Sequence, residues 1–144
     1  MDRWWFKSSA CANSDAKIAL FKPVSAAGTS ASHNIVLCER FSPIWRELSA
    51  SPSWIEQRFI ESESVYKVYC NGLFPALVLK FKHLLKYDTV KPLLPMLLNT
   101  RKDKSKIFGQ REAYLTSEEA LKIHALAAEL RERYRLSTFG FDVL

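Results

Sequence analysis

Glycine and cysteine are scarce in this chain, with four glycines and three cysteines among 144 residues. So few glycines cannot supply the spaced glycine loops that hold phosphates in cofactor-binding motifs, and Gly28-Thr29-Ser30 lacks the lysine that such a loop needs. The cysteines, Cys11, Cys38 and Cys70, are far apart and odd in number, which argues against a disulfide framework. We therefore expect free thiols in a reducing compartment and no bound cofactor.

Histidine is equally rare, and neither of the usual metal-binding spacings, C-x-x-C and H-x-x-x-H, occurs. His33, His83 and His124 are each isolated, so a packed or surface role is expected for each of them, and no metal site is expected. A nucleophilic thiol would need a neighbouring base. An enzyme in which folding joins Cys38 or Cys70 to a histidine is therefore the third-ranked hypothesis.

Long apolar runs are absent as well. The longest, residues 73–79, is interrupted by Pro75 and ends at Lys80, far short of the roughly 20 residues that cross a bilayer. The amino terminus is basic and aromatic, but a polar stretch follows it where a secretory signal would be apolar. We expect an intracellular protein, cytoplasmic or nuclear, that folds as one domain over residues 1–144, with residues 1–16 as a candidate flexible arm.

Two kinds of local pattern are present in the first half of the chain. Residues 17–24 and 34–38 are short, branched, apolar segments between turn formers, and this predicts two strands. Ser42-Pro43 and Ser51-Pro52 each place serine before proline, an arrangement typical of a helix start. The second of these helices would bury Trp54 and its apolar neighbours.

Residues 64–87 allow two interpretations. Residues 65–70 resemble a strand, and Asn71-Gly72 is a strong hairpin dipeptide. Pro75 fits a returning hairpin arm poorly, whereas apolar residues beyond it recur at helical spacing. We therefore favour a helix over residues 74–87, with Asn71-Gly72 as a tight turn in either case.

The last part of the chain holds the clearest helix. Residues 92–98 predict a short buried helix, and residues 99–111 a polar surface loop. Thr116 and Glu119 form a capping box, followed by an apolar stripe that ends near Leu136. Residues 138–144 should dock on the core or add an edge strand. The predicted fold class is mostly α (α+β), a helical domain with a small β element from its first third.

Positive charge is concentrated in one interval. Nine of the 21 lysines and arginines lie between residues 80 and 111, against two acidic residues there. Cations that converge in space can neutralise phosphates of a nucleic-acid backbone. The leading hypothesis is therefore a non-enzymatic nucleic-acid-binding protein whose candidate contacts are Lys80, Lys82, Lys86, Arg101, Lys102, Lys104, Lys106 and Arg111.

The alternative function is a protein interaction module, an adaptor or inhibitor that docks on an acidic partner or uses exposed aromatic residues. Trp4, Trp5 and Phe6 are its candidate contacts, because such side chains supply much of the energy at protein interfaces. Packing of the same three side chains on the protein's own core is equally compatible with the sequence.

Overall fold

A computed structural model describes residues 17–25, 29–72 and 74–144 of the chain. These residues group into two compact units, one formed by the residues up to Ile60 together with Tyr87–Lys104, the other by Glu61–Lys86 and Ser105–Leu144. Each unit contains one four-stranded antiparallel sheet. The predictions of a single domain and of a flexible arm at residues 1–16 stay predictions, and the arm lies outside the described residues.

The first unit is built on the strands β1 (Ile18–Pro23), β2 (Asn34–Glu39), β3 (Trp54–Arg58) and β6 (Met96–Asn99), in the order β3-β1-β2-β6. Helix α1 (Pro43–Ala50) packs on one face of this sheet, where Phe21 and Cys38 are fully buried beside Trp45. The short helix α2 (Tyr87–Val90) and a 3-10 turn (Lys91–Leu93) precede β6.

The second unit contains β4 (Ser64–Asn71), β5 (Leu77–His83), β7 (Phe108–Glu112) and β8 (Thr138–Val143), in the order β7-β5-β4-β8. The short helix α3 (Lys104–Ile107) leads into β7, and α4 (Ser117–Tyr134) joins β7 to β8. Helix α4 buries Ile123 and Ala127 against Val68 and Cys70 of the sheet. Because side chains alternate along β4, Val68 and Cys70 face the helix, and their neighbours on the strand face the opposite side of the sheet.

The predicted fold class is wrong. Strands account for 38% and helices for 33% of the described residues, so the protein is mostly β (α+β), with two antiparallel sheets and not a helical domain. The term helical describes only the segments α1 to α4. Pairing between strands caused the difference, as three segments show.

The first is the predicted second helix, which is strand β3. Ser51 ends α1 instead of starting a helix, because its amide donates to the Leu48 carbonyl. The following residues pair with β1, from Pro23 opposite Trp54 to Ala19 opposite Arg58. The indole Nε1 of Trp45 then donates to Glu56 Oε1 at 3.0 Å, which ties α1 to β3. Sheet pairing overrides the local helix signal.

The second is residues 74–87, where the favoured helix is wrong and the hairpin forms. Strand β5 pairs with β4 from Ser64 opposite Lys82 to Tyr69 opposite Leu77. Pro75 lies in the connection before β5, so it removes no hydrogen bond from the ladder. The tight turn is confirmed, since Gly72 has φ +57°, in the left-handed region that glycine adopts without strain.

The third is residues 92–111. The predicted buried helix at 92–98 is a turn followed by strand β6, and the predicted loop at 99–111 contains α3 and β7. Leu98 on β6 pairs with Ile35 of β2, and both are buried. These partners are more than sixty residues apart in sequence, which no local pattern reveals.

Several local predictions are confirmed. Strands β1 and β2 lie where the branched segments place them. The amide of Trp45 donates to the hydroxyl of Ser42 at the start of α1, and that of Glu119 donates to the hydroxyl of Thr116 at the start of α4. Residues 138–143 form the edge strand β8. Cys38 and Cys70 are buried free thiols.

Candidate functional site

After β6 the chain passes through residues 101–104, the end of a turn and the first residue of α3, which we call the basic turn. It contains Arg101, Lys102 and Lys104, whose side chains are exposed to solvent. Asp103 is only partly exposed, and its carboxylate Oδ2 accepts a hydrogen bond from the amide of Asn99 at 2.8 Å. The backbone of the turn is therefore fixed at its base, and its cations face water.

Asn99 organises this turn although it is almost fully buried. Its side-chain oxygen Oδ1 accepts hydrogen bonds from the amides of Arg101 and Lys102, both at 3.0 Å. Its backbone carbonyl accepts from the amide of Asp103 at 2.8 Å. A buried amide side chain with its groups satisfied in this way holds a loop in one conformation.

The same asparagine also binds the segment that precedes β2. Its Nδ2 donates to the Ser30 carbonyl and to Asn34 Oδ1, each at 2.9 Å. Strands β2 and β6 pair Asn34 with Asn99, so the turn at Ser30–His33 and the basic turn lie at the same end of the first sheet.

His33 adds a second connection between these two segments. Its carbonyl accepts from the amide of Thr100 at 2.8 Å, and its ring Nδ1 lies 3.2 Å from the Thr100 hydroxyl oxygen. The site thus places three exposed cationic residues directly after Thr100, whose hydroxyl contacts the His33 imidazole. Such a surface can neutralise and hydrogen-bond phosphate oxygens.

The second unit holds the other five predicted contacts, and two of these are engaged in ion pairs. Lys80 Nζ lies 2.9 Å from Glu112 Oε2 and 3.0 Å from Glu119 Oε2, and these carboxylates raise its pKa. Lys86 Nζ donates to the Ser62 carbonyl at 2.6 Å and to Glu63 Oε1 at 3.2 Å. Neither ammonium group is available as the sequence pattern suggested.

The remaining three cations are exposed, but they occupy different elements. Lys82 lies on β5, Lys106 on α3 and Arg111 on β7. The helix predicted over residues 74–87 would place Lys82 and Lys86, four residues apart, on one face, but Lys82 is on a strand and Lys86 follows it. Sequence analysis missed Asn99 and His33 as the residues that organise the site, because only the pairing of β2 with β6 brings them together.

Two observations bear on the Cys/His hypothesis. Burial raises the pKa of the Cys38 thiol, which disfavours the reactive thiolate. His83 Nδ1 lies 3.1 Å from Ser62 Oγ, and burial, reinforced by the nearby Lys86, lowers the pKa of this histidine. The hydroxyl of Ser62 also donates to the Ser64 carbonyl at 3.1 Å.

Within the described ranges, no three acidic, histidine or cysteine side chains come together in a way that could hold a metal ion. The helices of residues 17–25, 29–72 and 74–144 include none with the length and apolar surface needed to span a bilayer. Trp4, Trp5 and Phe6 lie outside the described residues.

Neither a comparison with protein-family models nor one with curated proteins gives a match for this chain. Function must therefore be argued from the site itself.

Proposed function

We propose that this protein binds nucleic acid through phosphate contacts made by the basic turn, and that it does so without catalysing a reaction. The observation that carries the proposal is the double attachment of Asn99, which holds the backbone of residues 101–104 while Arg101, Lys102 and Lys104 stay exposed. A turn that is already ordered loses little conformational entropy when it binds a phosphate backbone.

Electrostatics favours the same ligand. The chain carries a formal net charge of +6, and the one acidic residue of the basic turn, Asp103, bonds to backbone. Three phosphate contacts would release three condensed counterions. The slope of log K against log salt should then be about −3 for a duplex and about −2 for a single strand.

The test is a charge reversal of the basic turn. The triple variant R101E/K102E/K104E should lose measurable binding to labelled single-stranded and duplex oligonucleotides in fluorescence anisotropy between about 50 and 200 mM salt. Circular dichroism and the midpoint of thermal unfolding should stay close to those of the wild type, because the three side chains are exposed.

The matched control changes the net charge by the same amount, at three other positions in the first unit. Lys17, Arg46 and Arg58 are also exposed, and β1 and β3 place Lys17 and Arg58 at the end of the sheet opposite Asn34. The variant K17E/R46E/R58E should keep most of the affinity and the salt slope. Equal losses in the two triple variants would mean that net charge alone drives binding, and unchanged binding by R101E/K102E/K104E would refute the proposal.

A competition experiment separates a nucleic-acid backbone from a small phosphate compound. Inorganic tripolyphosphate supplies linked phosphates with no sugar or base. It should displace the oligonucleotide only at a much higher phosphate concentration. Displacement at an equal concentration of phosphate would assign the site to a small polyphosphate and overturn the assignment to nucleic acid.

A further inference from the structure

The face of the second sheet that α4 does not cover carries an exposed tyrosine near the end of the inner strand β4. Tyr69 on β4 is paired with Leu77 of β5 on one side and with Gly140 of β8 on the other. Its neighbours Val68 and Cys70 belong to the core beneath α4. Because side chains alternate along a strand, Tyr69 projects from the opposite face.

The ring of Tyr69 lies over Gly140. A Cβ atom placed on Gly140 would lie 3.6 Å from Tyr69 Cδ1 and 4.0 Å from Cε1, in ordinary van der Waals contact. An aromatic ring laid across a cross-strand glycine covers the exposed backbone there. The ring is nevertheless 50% exposed, so it is supported by the sheet and still accessible to a planar ligand.

Two cationic residues lie on the same face of the sheet, Lys67 next to Tyr69 and Arg111 two strands away. Lys67, two residues earlier on β4, has its Nζ 4.8 Å from the centroid of the Phe108 ring and 3.6 Å from Asp142 Oδ2. Arg111 on β7 is exposed and pairs with Phe81 of β5, which has the same alternation as Leu77. The face therefore combines aromatic rings with a net positive charge of one from these three charged residues.

We propose that the Tyr69 ring stacks on an unpaired base of a single-stranded nucleic acid, with Arg111, two strands away on the same face, placed to contact phosphates further along that nucleic-acid strand. The bases of a single strand can stack on exposed aromatic side chains whatever the nucleotide sequence. The bases of a duplex are already stacked on one another. This inference rests on the proposed function and adds to it that single strands bind more tightly than duplexes of equal length.

The experiment compares two oligonucleotides with identical phosphates. One is an oligothymidine that spans a binding site of about 10 nucleotides, and the other is an abasic oligonucleotide of the same length. The wild type should bind the oligothymidine about tenfold more tightly, the effect expected for one stacked base. The variant Y69A should bind both with the same affinity, whereas Y69F keeps the ring and should behave as the wild type.

Tyr114 supplies the matched control. It belongs to the same unit and is 87% exposed, and Y114A removes the same side chain from another position. If Y114A loses the preference for bases as fully as Y69A, the assignment of the stacking site to Tyr69 is wrong. Loss of folding in Y69A is checked by its thermal midpoint, and Y69L, which keeps an apolar cover on Gly140, provides a second variant without an aromatic ring.

The two proposals fail in different ways. If the wild type binds both oligonucleotides equally and Y69A does the same, the stacking site is refuted while phosphate binding by the basic turn stands. If the wild type binds neither oligonucleotide, the proposed function itself is refuted. Tight binding of an unstructured acidic peptide in place of the oligothymidine would assign this face to a protein and would also overturn the stacking site.

Discussion

At the scale of single residues, Lys80 forms ion pairs with carboxylates on two different elements of the second unit. It lies between Glu112 of the neighbouring strand β7 and Glu119 of α4, and Tyr66 donates a hydrogen bond to the same Glu119 at 2.7 Å. Helix α4 is thereby attached to the sheet by charge as well as by its apolar side chains. This role explains why a lysine from a basic stretch of sequence does not reach solvent.

Glu119 gives this network a pH dependence. The hydrogen bonds from Tyr66 and Lys80 hold the pKa of Glu119 below its ordinary value of 4.5. A carboxylate whose pKa is lower in the folded state contributes stability above its unfolded pKa, and that contribution is lost as the pH falls through the folded pKa. We therefore expect the free energy of unfolding in urea to fall as the pH drops below about 4.5.

Two variants test whether Glu119 is the group that causes the loss of stability at low pH. In E119Q the decline below this pH should be shallower, because the titrating group is gone. In Y66F the pKa of Glu119, followed by NMR, should rise towards its ordinary value since one donor is removed. A decline in E119Q as steep as in the wild type would show that other carboxylates produce the acid sensitivity.

At the scale of elements, α4 is the helix that sequence specifies most fully. Thr116 accepts from the amide of Glu119 at its start, and Arg135 ends it in the left-handed conformation with φ 51°. Each of these features depends on residues within four positions of one another. The sequence pattern therefore predicted the helix correctly without knowledge of its partners.

Removal of the cap should weaken this helix by a predictable amount. The variant T116A should lower the free energy of unfolding by about 1 kcal/mol, because the amide of Glu119 loses its acceptor. Chemical denaturation at neutral pH measures the change. S117A, at the next and equally exposed position, serves as the control, and an equal loss there would contradict the capping role of Thr116.

The strands show the opposite behaviour. Residues 54–60 and 77–85 have apolar side chains at spacings compatible with a helix, and both predictions were wrong. Pairing with β1 makes the first segment a strand, and pairing with β4 makes the second segment a strand. Leu77, one of the apolar residues beyond Pro75, is 57% exposed on a sheet. The spacing of apolar residues alone did not distinguish the two structures, because in both segments pairing with another strand decides the structure.

At the scale of the whole molecule, the described residues form two compact units, and each contains a cluster of buried apolar side chains. Val36 belongs to the core of the first and Val68 to that of the second. Segments that bury their own apolar side chains often open as separate cooperative units. Each core should therefore respond mainly to substitutions within it.

A matched pair of substitutions tests this expectation. V36A and V68A each remove two methyl groups from a buried position and should each cost about 2 kcal/mol. In native-state hydrogen exchange, V36A should speed exchange chiefly in β1, β2 and β6, and V68A chiefly in β4, β5 and β8. Uniform acceleration throughout the chain in both variants would mean that the two units unfold together.

The candidate site depends on both levels of information. The sequence by itself determined the basic stretch, the free thiols Cys38 and Cys70, the caps of α1 and α4 and the tight turn at Asn71-Gly72, because charge, capping and turn conformation depend on neighbouring residues. Only the tertiary structure decided that Lys80 is bound in an ion pair, that Asn99 holds the basic turn and that Tyr69 covers Gly140. The physical reason is that hydrogen bonds between strands join residues far apart in the chain, and a strand's partner is chosen by the whole fold.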